Sequence, residues 1–588
     1  MNMQSGVLRI GLLSVALATF AGCAGQQQKL QQVYDAYWQE RLERSPLWST
    51  YIGDHRHDAE IDDLSVEAAA SWDASVRRYL ARVEAARTSR LSPREALDLA
   101  IFKSQLQDAL FSYEAKEYLM PLVGRRAPQF QFPLIPFYHP FADAQDYRNY
   151  IARLNAFPRQ VEQSIAASQS GMEAGYVASK DAVQRILPQI EAQLVADPKQ
   201  SHFYQPAMQF PETVGEADRQ TLAASIAESI ENSVEPAFRR LLAFVENDYL
   251  PACREELGVS SLPNGDAIYA RLIRVHADSQ LSPDAIHELG LREVEHVRME
   301  MDQVRQELGF EGSMSDFSEH MRKDKTHRAQ DADALLSLTR EVMHRARQNS
   351  AELFAQMPSA ECEVRAVPAD RAAASPAMYY SPAAQSPLEP AYLNVNTFRV
   401  RVLPTYTVPA FVHRESYPGR HMQATLATES SPPEFRRHRR FDAFIEGWTL
   451  YADNLAFERF EHELAERYGH LLLAGAEAAR LVIDTGIHHL GWTRDEAIAF
   501  MEDNTALADA DIAAEVDQQI TWPAMGLAPA LGSLKFVILR RSAEATLGEQ
   551  FDIRAFHEAL LSEGAMPMPI LERRMQDWLQ AQTRRGER

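Results

Sequence analysis

Residues Phe411–Gln423 read FVHRESYPGRHMQ, and residues Phe444–Glu458 read FIEGWTLYADNLAFE. The first segment places two histidines, two arginines and one glutamate beside a Pro-Gly pair, and the second contains a glutamate among apolar residues. Proline removes a backbone donor and glycine relaxes the backbone, so this pair allows a change of helical register. Histidine and glutamate commonly bind metals and transfer protons. We therefore expect the chemistry of this chain to lie in these two segments.

Outward from these segments, most of the chain shows helical periodicity. Apolar residues recur every three or four positions from Leu30 to about Met120, and similar patterns continue in most of the chain as far as Trp578. The stretch Val364–Tyr406 differs, because it is rich in valine and tyrosine and is interrupted by six prolines. The sequence therefore predicts a mainly α fold with one small β-sheet element around residues 364–406.

The composition excludes several classes of protein. The chain has 588 residues, a formal net charge of −22, 46% hydrophobic residues and 24% charged residues. These values are typical of a globular protein with a large core. The acidic balance argues against a nucleic-acid partner.

The first 23 residues have the pattern of an export signal. Ile10–Gly22 is a run of apolar and small residues that is too short to cross a bilayer, which requires about 20 apolar residues. Phe20–Cys23 (FAGC) resembles the lipobox of bacterial lipoproteins, with phenylalanine where leucine is usual. We therefore expect residues 1–22 to be a signal peptide, Cys23 to be lipidated and residues 23–29 to carry the lipid and form a tether. A plainly cleaved signal with an ordinary cysteine is the alternative.

Other general motifs are missing from the sequence. There is no C-x-x-C, G-x-S-x-G, Walker A or G-x-G-x-x-G pattern, and no His-Glu dipeptide is followed by a second histidine at the zinc-binding spacing. Cys253 and Cys362 could pair or remain free, and their spacing does not decide between these states.

The two opening segments resemble motifs of the domain of unknown function 885 family, whose members typically carry HExxPGHHxQ and then EGWAxYxE. The resemblance implies a zinc-peptidase-like site in which histidines and the later glutamate bind the metal and the first glutamate activates water. Further stretches also resemble the family, so the similarity extends over nearly the whole mature chain; they are residues 51–58, 282–291, 484–492 and 551–569.

Aligned with the family motif, this chain has lost two histidines. Arg414 stands at the first histidine and Arg420 at the next, whereas Glu415 and His421 are retained. A guanidinium has no free lone pair and stays charged, so arginine cannot bind zinc. Residues 515–532 (EVDQQITWPAMGLAPALG) have likewise lost several polar side chains of the family pattern EVDRYxxWPGQALAYKxG.

Two interpretations of the altered motif are open. In the favoured one no metal is bound, and Arg414 and Arg420 form ion pairs with Glu415 and Glu446 that replace the zinc cross-link. In the alternative, zinc is held by a shifted ligand set with Glu415 as the general base; the ligands would be His413, His421 and Glu446. His413 is one residue, or about 100° of helical rotation, away from the lost ligand, so this set needs a register shift. His488 and Asp453 are further candidates for the cleft.

The resemblance implies a large, two-lobed helical fold similar to zinc metallopeptidases. We predict an N-terminal lobe over residues 30–270 and a C-terminal, metallopeptidase-like lobe over residues 271–588. The favoured function is a non-catalytic lipoprotein that binds a peptide or an envelope protein, without a cofactor. The alternatives are an active zinc-dependent peptidase or related hydrolase and a structural envelope lipoprotein. In each case the protein is exported, faces the periplasm and is anchored through Cys23, with the outer membrane as the expected membrane.

Overall fold

The computed structural model describes residues 27–86, 91–124, 127–373, 375–383 and 390–586. The predicted signal peptide and Cys23 lie outside these residues. The chain forms two compact units, and the first contains the described residues up to Glu256 together with Glu434–His438. The second unit contains Leu257–Pro433 and the described residues from Arg439 onward.

The first unit is built from helices. They are α1 (27–44), α2 (Pro46–Tyr51), α3 (Val66–Glu84), α4 (Pro93–Glu114), α5 (Pro128–Gln131), α6 (Ile135–Tyr138), α7 (Ala144–Ala174), α8 (Lys180–Glu191), α9 (Glu216–Ser229), α10 (Glu235–Phe244), α11 (Leu250–Ala252) and α19 (Glu434–Arg437). The long helix α7 crosses the core of this unit, where Phe157 stacks on Phe132 with ring centroids 3.8 Å apart.

The short helix α19 completes the first unit although it lies far along the chain. The ring of Phe435 packs 4.9 Å from Phe102 and 4.7 Å from Tyr34. Arg436 is buried, and its guanidinium donates to the Asp98 carboxylate at 2.5 Å. Helices α1 and α4 therefore obtain part of their packing and one buried counter-charge from residues that follow more than half of the second unit.

The second unit is also mainly helical. Its helices are α12 (Gly265–Ala277), α13 (Pro283–Glu307), α14 (Met314–Lys323), α15 (Ala332–Ser350), α16 (Ala369–Ala372), α17 (Val408–Glu415), α18 (Arg420–Glu429), α20 (Asp442–Arg459), α21 (Leu464–His488), α22 (Arg494–Asn504), α23 (Asp509–Thr521), α24 (Ala528–Leu547), α25 (Ile553–Leu561) and α26 (Met568–Gly586). The predicted mainly α fold is confirmed.

The predicted β element is a three-stranded sheet in the second unit. Its strands are β1 (Cys362–Ala366), β2 (Met378–Ser381) and β3 (Ala391–Val395). The central strand β3 pairs in parallel with β1 and antiparallel with β2, so Leu393 lies opposite both Val364 and Tyr380. The sheet ends at Val395, and the chain then turns, so the strand character expected further along, as far as Tyr406, is not observed.

The predicted division between lobes falls within α12, whereas the two compact units divide between Glu256 and Leu257. Helix α12 belongs wholly to the second unit, and its side chains form hydrogen bonds with other helices of that unit. The Tyr269 hydroxyl, for example, donates to Asp484 of α21 at 2.5 Å. Cys253 and Cys362, whose pairing the sequence left open, are both free.

No single described helix has the length and apolar character to span a membrane; helix Asp509–Thr521 and the helical segment Met525–Gln550 meet these criteria only together, as a pair bent by 117°.

Helices α20 and α24 cross with almost no space between their backbones. A Cβ atom on Gly447 would lie 2.5 Å from backbone atoms of Gly532. Gly475 of α21 also lies within a helix, but a Cβ there would meet only Val297 Cγ1, at 3.5 Å. Real Cβ contacts are not as short as 2.5 Å, so the absence of a side chain at Gly447 allows α20 and α24 to approach this closely. Gly475 does not limit the approach of two helices in this way.

We predict that Gly447→Ala destabilises the protein, because overpacking of this kind costs about 1–3 kcal/mol. Gly475→Ala is the matched control and should be neutral or stabilising by up to about 1 kcal/mol, since alanine favours a helix interior. Urea unfolding followed by circular dichroism measures both free energies of unfolding. Equal effects of the two substitutions would contradict the assignment of Gly447 as the contact that limits helix approach.

Candidate functional site: two arginine–carboxylate networks

The turn between α17 and α18 determines where the candidate site lies. Helix α17 ends at Glu415 and α18 begins at Arg420. A Cβ on Gly419 would lie 2.1 Å from the carbonyl oxygen of Arg414 and 2.3 Å from that of His413, so only glycine allows the chain to pass this close. The turn therefore places the ends of the two helices side by side.

Trp448 attaches this turn to α20. Its ring is fully buried, and its Nε1–H donates to the carbonyl oxygens of Pro418 and Gly419 at 3.1 and 3.2 Å. Glu446 precedes Trp448 by two residues on the same helix. The hydrogen bonds of the indole thus hold Glu446 beside the α17–α18 turn.

Arg420 bridges the two carboxylates that the sequence singled out. Its Nε lies 3.3 Å from Glu415 Oε2, and its Nη1 lies 3.3 Å from Glu446 Oε1, with a second, closer contact from Nη2 to Glu446 Oε2. The backbone N–H of Tyr380 in β2 also donates to Glu415 Oε2, at 3.1 Å. A permanent cation therefore occupies the space between Glu415 and Glu446.

The electrostatics of this contact favour both charged forms. Burial opposes ionisation of Glu446, but the positive charge and hydrogen bonds of Arg420, followed by the charge of Arg440, lower its pKa below the usual value. Burial also opposes the charge of Arg420, yet Glu446 and then Glu415 raise its pKa. The pair stays ionised because each partner outweighs the desolvation of the other.

The network extends outward from Glu446. Arg440 Nη2 donates to Glu446 Oε1 at 2.6 Å and its Nε donates to Asp442 Oδ1 at 3.2 Å. His276 Nδ1 lies 3.2 Å from the second oxygen of Asp442. Burial raises the pKa of Asp442, but His276 and Arg440 more than offset it and bring the pKa to about 2. We call Arg420, Glu415, Glu446, Arg440 and Asp442 the Arg420 network.

Arg414 forms a second network on the other side of α17. Its Nε donates to Asp453 Oδ2 at 2.9 Å and its Nη1 donates to Glu477 Oε1 at 3.0 Å. Arg480 continues the chain, with contacts of 2.7 Å to Glu477 and of 2.7 and 2.8 Å to the two oxygens of Glu515. We call these five residues the Arg414 network.

The structure contains the ion pairs expected for Arg420, but it pairs Arg414 with carboxylates other than those expected. Arg420 meets Glu415 and Glu446, whereas the described contacts of Arg414 are with Asp453 and Glu477 instead. The reason is helical geometry, since adjacent residues point about 100° apart. Asp453, a candidate for the cleft, is fully buried and serves as the counter-ion of Arg414; His470 Nδ1 lies 3.1 Å from the same Asp453 oxygen.

His413 lies on a further face of α17, inside an aromatic pocket. Its Nδ1 lies 3.2 Å from the carbonyl oxygen of Tyr417, and its ring contacts Phe457, Phe460 and His462 edge-on, with centroids 5.2–5.7 Å apart. Burial lowers the pKa of His413 to about 4. This histidine is therefore neutral and packed among rings.

His421 is buried with partners at both ring nitrogens. Its Nε2 lies 3.1 Å from the carbonyl oxygen of Ala360, and its Nδ1 lies 3.3 Å from the hydroxyl of Tyr380. Burial lowers the pKa of His421 to about 4. Across the described ranges, no group of three or more His, Cys, Asp or Glu side chains is placed to hold a metal ion. The structure does not bring His413, His421 and Glu446 together in such a group.

His488, the remaining candidate, forms hydrogen bonds with the backbone of two other segments of the chain. Its Nδ1 accepts from the N–H of Val259 at 3.2 Å, and its Nε2 lies 2.8 Å from the carbonyl oxygen of Gln519, to which it donates. The nearby Asp484 accepts hydrogen bonds from the Tyr269 hydroxyl and from the N–H of Ala524 at 3.0 Å. These contacts join α12, α21 and the turn that follows α23.

Five of the ten residues in the two networks were not among the candidates from the sequence. They are Arg440, Asp442, Glu477, Arg480 and Glu515. Arg440 belongs to the basic run Arg436–Arg440, a pattern typical of a solvated loop; in the structure Arg436 forms a buried ion pair with Asp98, and the exposed Arg440 pairs with Glu446. The spacing of Glu477 and Arg480 at i and i+3 on a helix was the available signal.

These observations define the class of protein: a mainly α-helical, two-unit protein with a small sheet, in which two arginine–carboxylate networks lie beside the α17–α18 turn. The chain belongs to the DUF885 family, described as "Bacterial protein of unknown function", whose model matches residues 46–575. No curated protein matches the chain.

Similar solved structures support this assignment of the fold. The putative lipoprotein from Colwellia psychrerythraea is 24% identical, with a TM-score of 0.88 over 95% of this chain and 100% of its own. A putative lipoprotein of unknown function from Shewanella oneidensis is 16% identical, with a TM-score of 0.77 over 93% of this chain and 99% of its own. An M32 carboxypeptidase from Deinococcus radiodurans R1 has a TM-score of only 0.38 at 12% identity, over 94% of this chain and 95% of its own.

We predict that Arg414→Ala destabilises the protein by about 3–5 kcal/mol, because it leaves buried Asp453 and Glu477 without their counter-charge. Arg399→Ala is the control: Arg399 pairs with Asp511 at 3.4 Å, and both side chains are about half exposed. Exposed pairs contribute less than about 1 kcal/mol. Urea unfolding of both variants checks this, and a loss for Arg414→Ala no larger than for Arg399→Ala would contradict it.

The Asp484 carboxyl gives a separate pH prediction. Burial raises its pKa from 3.8 to about 7, against the hydrogen bonds from Tyr269 and Ala524. The folded state therefore holds a proton that the unfolded state has lost above pH 4, so this group makes the protein less stable as pH rises toward 7. The expected loss is on the order of 4 kcal/mol. Asp484→Asn should flatten the dependence of the free energy of unfolding on pH between 4 and 8, and exposed Asp495→Asn should leave it as in the wild type.

Proposed function

We propose that this protein is a non-catalytic member of its family, in which internal ion pairs have replaced the metal centre, and that it acts by binding a peptide or another protein. The observation that carries the proposal is the position of Arg420, whose guanidinium contacts both Glu415 and Glu446. The resemblance to the family motif implies that these carboxylates stand at the positions of the general base and of a metal ligand. A permanent cation between them repels a second cation and uses the same oxygen atoms.

The chemistry of the remaining donors supports the same conclusion. Zinc takes nitrogen, sulfur or oxygen donors at about 2 Å, usually from three or four protein ligands. Arg414 is directed toward Asp453 and Glu477, and both nitrogens of His421 already have partners. The residues present do not fit a zinc ion, and no reaction step is assigned to one.

The ion pairs also explain how the fold tolerates the loss of metal. Glu446 is a partly buried carboxylate, and removing a counter-charge from such a group costs several kcal/mol. Arg420 and Arg440 supply two positive charges at this carboxylate, the same formal charge as a zinc ion. The guanidiniums thus cross-link α17, α18 and α20 without an exogenous ligand.

The proposal includes export and a lipid anchor at Cys23. The FAGC sequence at Phe20–Cys23 supports it, and so do the two similar solved proteins, each of which is described as a putative lipoprotein. Acylation of this cysteine would hold the protein on a membrane facing the periplasm, with the outer membrane as the proposed location.

Metal content tests the proposal directly. We expect the purified wild type to contain far less than one zinc per chain by plasma mass spectrometry, and EDTA to leave its melting temperature unchanged. Stoichiometric zinc, together with a melting temperature that EDTA lowers by many degrees, would favour a zinc-dependent hydrolase that uses His413, His421 and Glu446. In that case digestion of a peptide library should be lost in Glu415→Gln.

The variant Arg420→His provides a matched control for this measurement. It removes the guanidinium that lies between Glu415 and Glu446 and leaves the Arg414 network intact, so we expect it to bind zinc more tightly than the wild type. The contrast between this variant and the wild type isolates the Arg420 guanidinium as the reason why the wild type lacks the metal.

A further inference from the structure

The second unit carries a groove along α13. The groove has a volume of about 630 Å³ and is formed by α13, α22 and the start of α14. Its apolar lining residues are Leu291, Val294, Met299, Met314 and Phe500. Its polar lining residues are Glu295, Arg298, Asp302 and Asn504. The Arg420 and Arg414 networks contribute no residue to it.

Two large apolar side chains in this groove remain in contact with solvent. Leu291 is 43% exposed and Met299 is 60% exposed, although the opposite face of α13 already packs Val297 and Met301 into the core. They stand at i and i+8 with Glu295 between them, which places all three along one face of the helix. Helix α13 thus has a second apolar face that no described residue covers.

The shape of the groove suits a helix. The face from Leu291 to Asp302 covers twelve residues, which corresponds to about 16 Å, or three helical turns. Helices that dock into grooves use apolar anchors at i, i+3 or i+4, and i+7. Met299 and Met314 have flexible thioether side chains that adapt to such anchors.

The charge around the groove determines the chemistry of the occupant. Helix α13 carries seven Asp and Glu against three Arg, and α22 carries four against one. In the groove lining, Arg298 donates to Asn504 Oδ1 at 2.7 Å, and Asp302 is paired with Arg305, whose Nε lies 2.8 Å from Asp302 Oδ1. Glu295 makes no ion pair with any residue that the structure describes. An occupant therefore meets an apolar floor with an acidic rim in which Glu295 is the carboxylate available for pairing, on two helices with an excess of acidic residues.

We propose that this groove binds a basic amphipathic helix of a partner polypeptide. The helix presents leucine-like side chains to Leu291, Met299 and Phe500 and lysine or arginine to Glu295. This inference rests on the proposed binding role and adds a location and a class of ligand to it. Its test is independent of metal content, because none of the substitutions below touches the two arginine networks.

The probe is a fluorescent 14-residue amphipathic peptide of leucine and lysine, titrated with the mature full-length protein and followed by anisotropy. We expect saturable binding that Leu291→Ser/Met299→Ser weakens by about tenfold or more, as for apolar anchors at other interfaces. Ile538→Ser is the control, since Ile538 is 49% exposed on another helix of the same unit, and it should change the affinity less than twofold.

The acidic rim is tested by charge reversal. Glu295→Lys should weaken peptide binding and reduce its dependence on salt, whereas Glu293→Lys, exposed on the same helix outside the groove lining, should have little effect. Hydrogen exchange should show peptide-dependent protection in α13 and α22. Circular dichroism of each variant establishes that it is folded.

Four results would overturn the proposal. One is no saturable binding of the peptide to the wild type, and a second is equal affinity of the wild type and the Leu291→Ser/Met299→Ser variant. A third is binding of anionic vesicles, but not of the peptide, that depends on Leu291 and Met299. The fourth is a wild-type dimer that these substitutions dissociate, which would assign the groove to a second copy of the chain.

Discussion

The site depends on one electrostatic constraint: an ionised carboxylate inside a helical protein must have a positive partner within a few ångströms. Desolvation alone would neutralise or expel Glu446 and Asp453. Instead both carboxylates keep a lowered pKa: that of Glu446 because Arg420 lies beside it, and that of Asp453 because His470 and then Arg414 lie beside it. The α17–α18 turn supplies both arginines from positions six residues apart, and it can do so only because Gly419 lets the backbone fold back on itself.

The two networks provide positive partners for their carboxylates in the same way. Each contains two arginines and three carboxylates, and in each a histidine lies beside one of the carboxylates: His276 beside Asp442 and His470 beside Asp453. A shared carboxylate joins the two arginines, Glu446 in one network and Glu477 in the other. Because Glu446 and Glu477 each contact two arginines, the loss of either carboxylate would leave two guanidiniums short of a counter-charge.

Much of the fold could be predicted from local pattern. The helical periodicity and the short β segment are properties of residues close in sequence, and both are observed. The end of the sheet at Val395 was not predictable from β-propensity, because the following valines lie in turns. The pairing of Arg420 with Glu415 and Glu446 followed from the family motif. The partners of Arg414 did not, since Glu477 and Asp453 reach it only through the packing of α20 and α21 against α17, and that packing has no local signature.

Helix α19 has a consequence for how the protein acquires its structure. The first unit needs Phe435 and Arg436, which lie in the last third of the chain, to cover Phe102 and to neutralise Asp98. Because a polypeptide is synthesised from its N-terminus, this unit stays incomplete until those residues have been added. A chain that ended before residue 434 would leave the ring of Phe102 without Phe435 and the carboxylate of Asp98 without Arg436, so the first unit is not delimited by one continuous segment of the sequence.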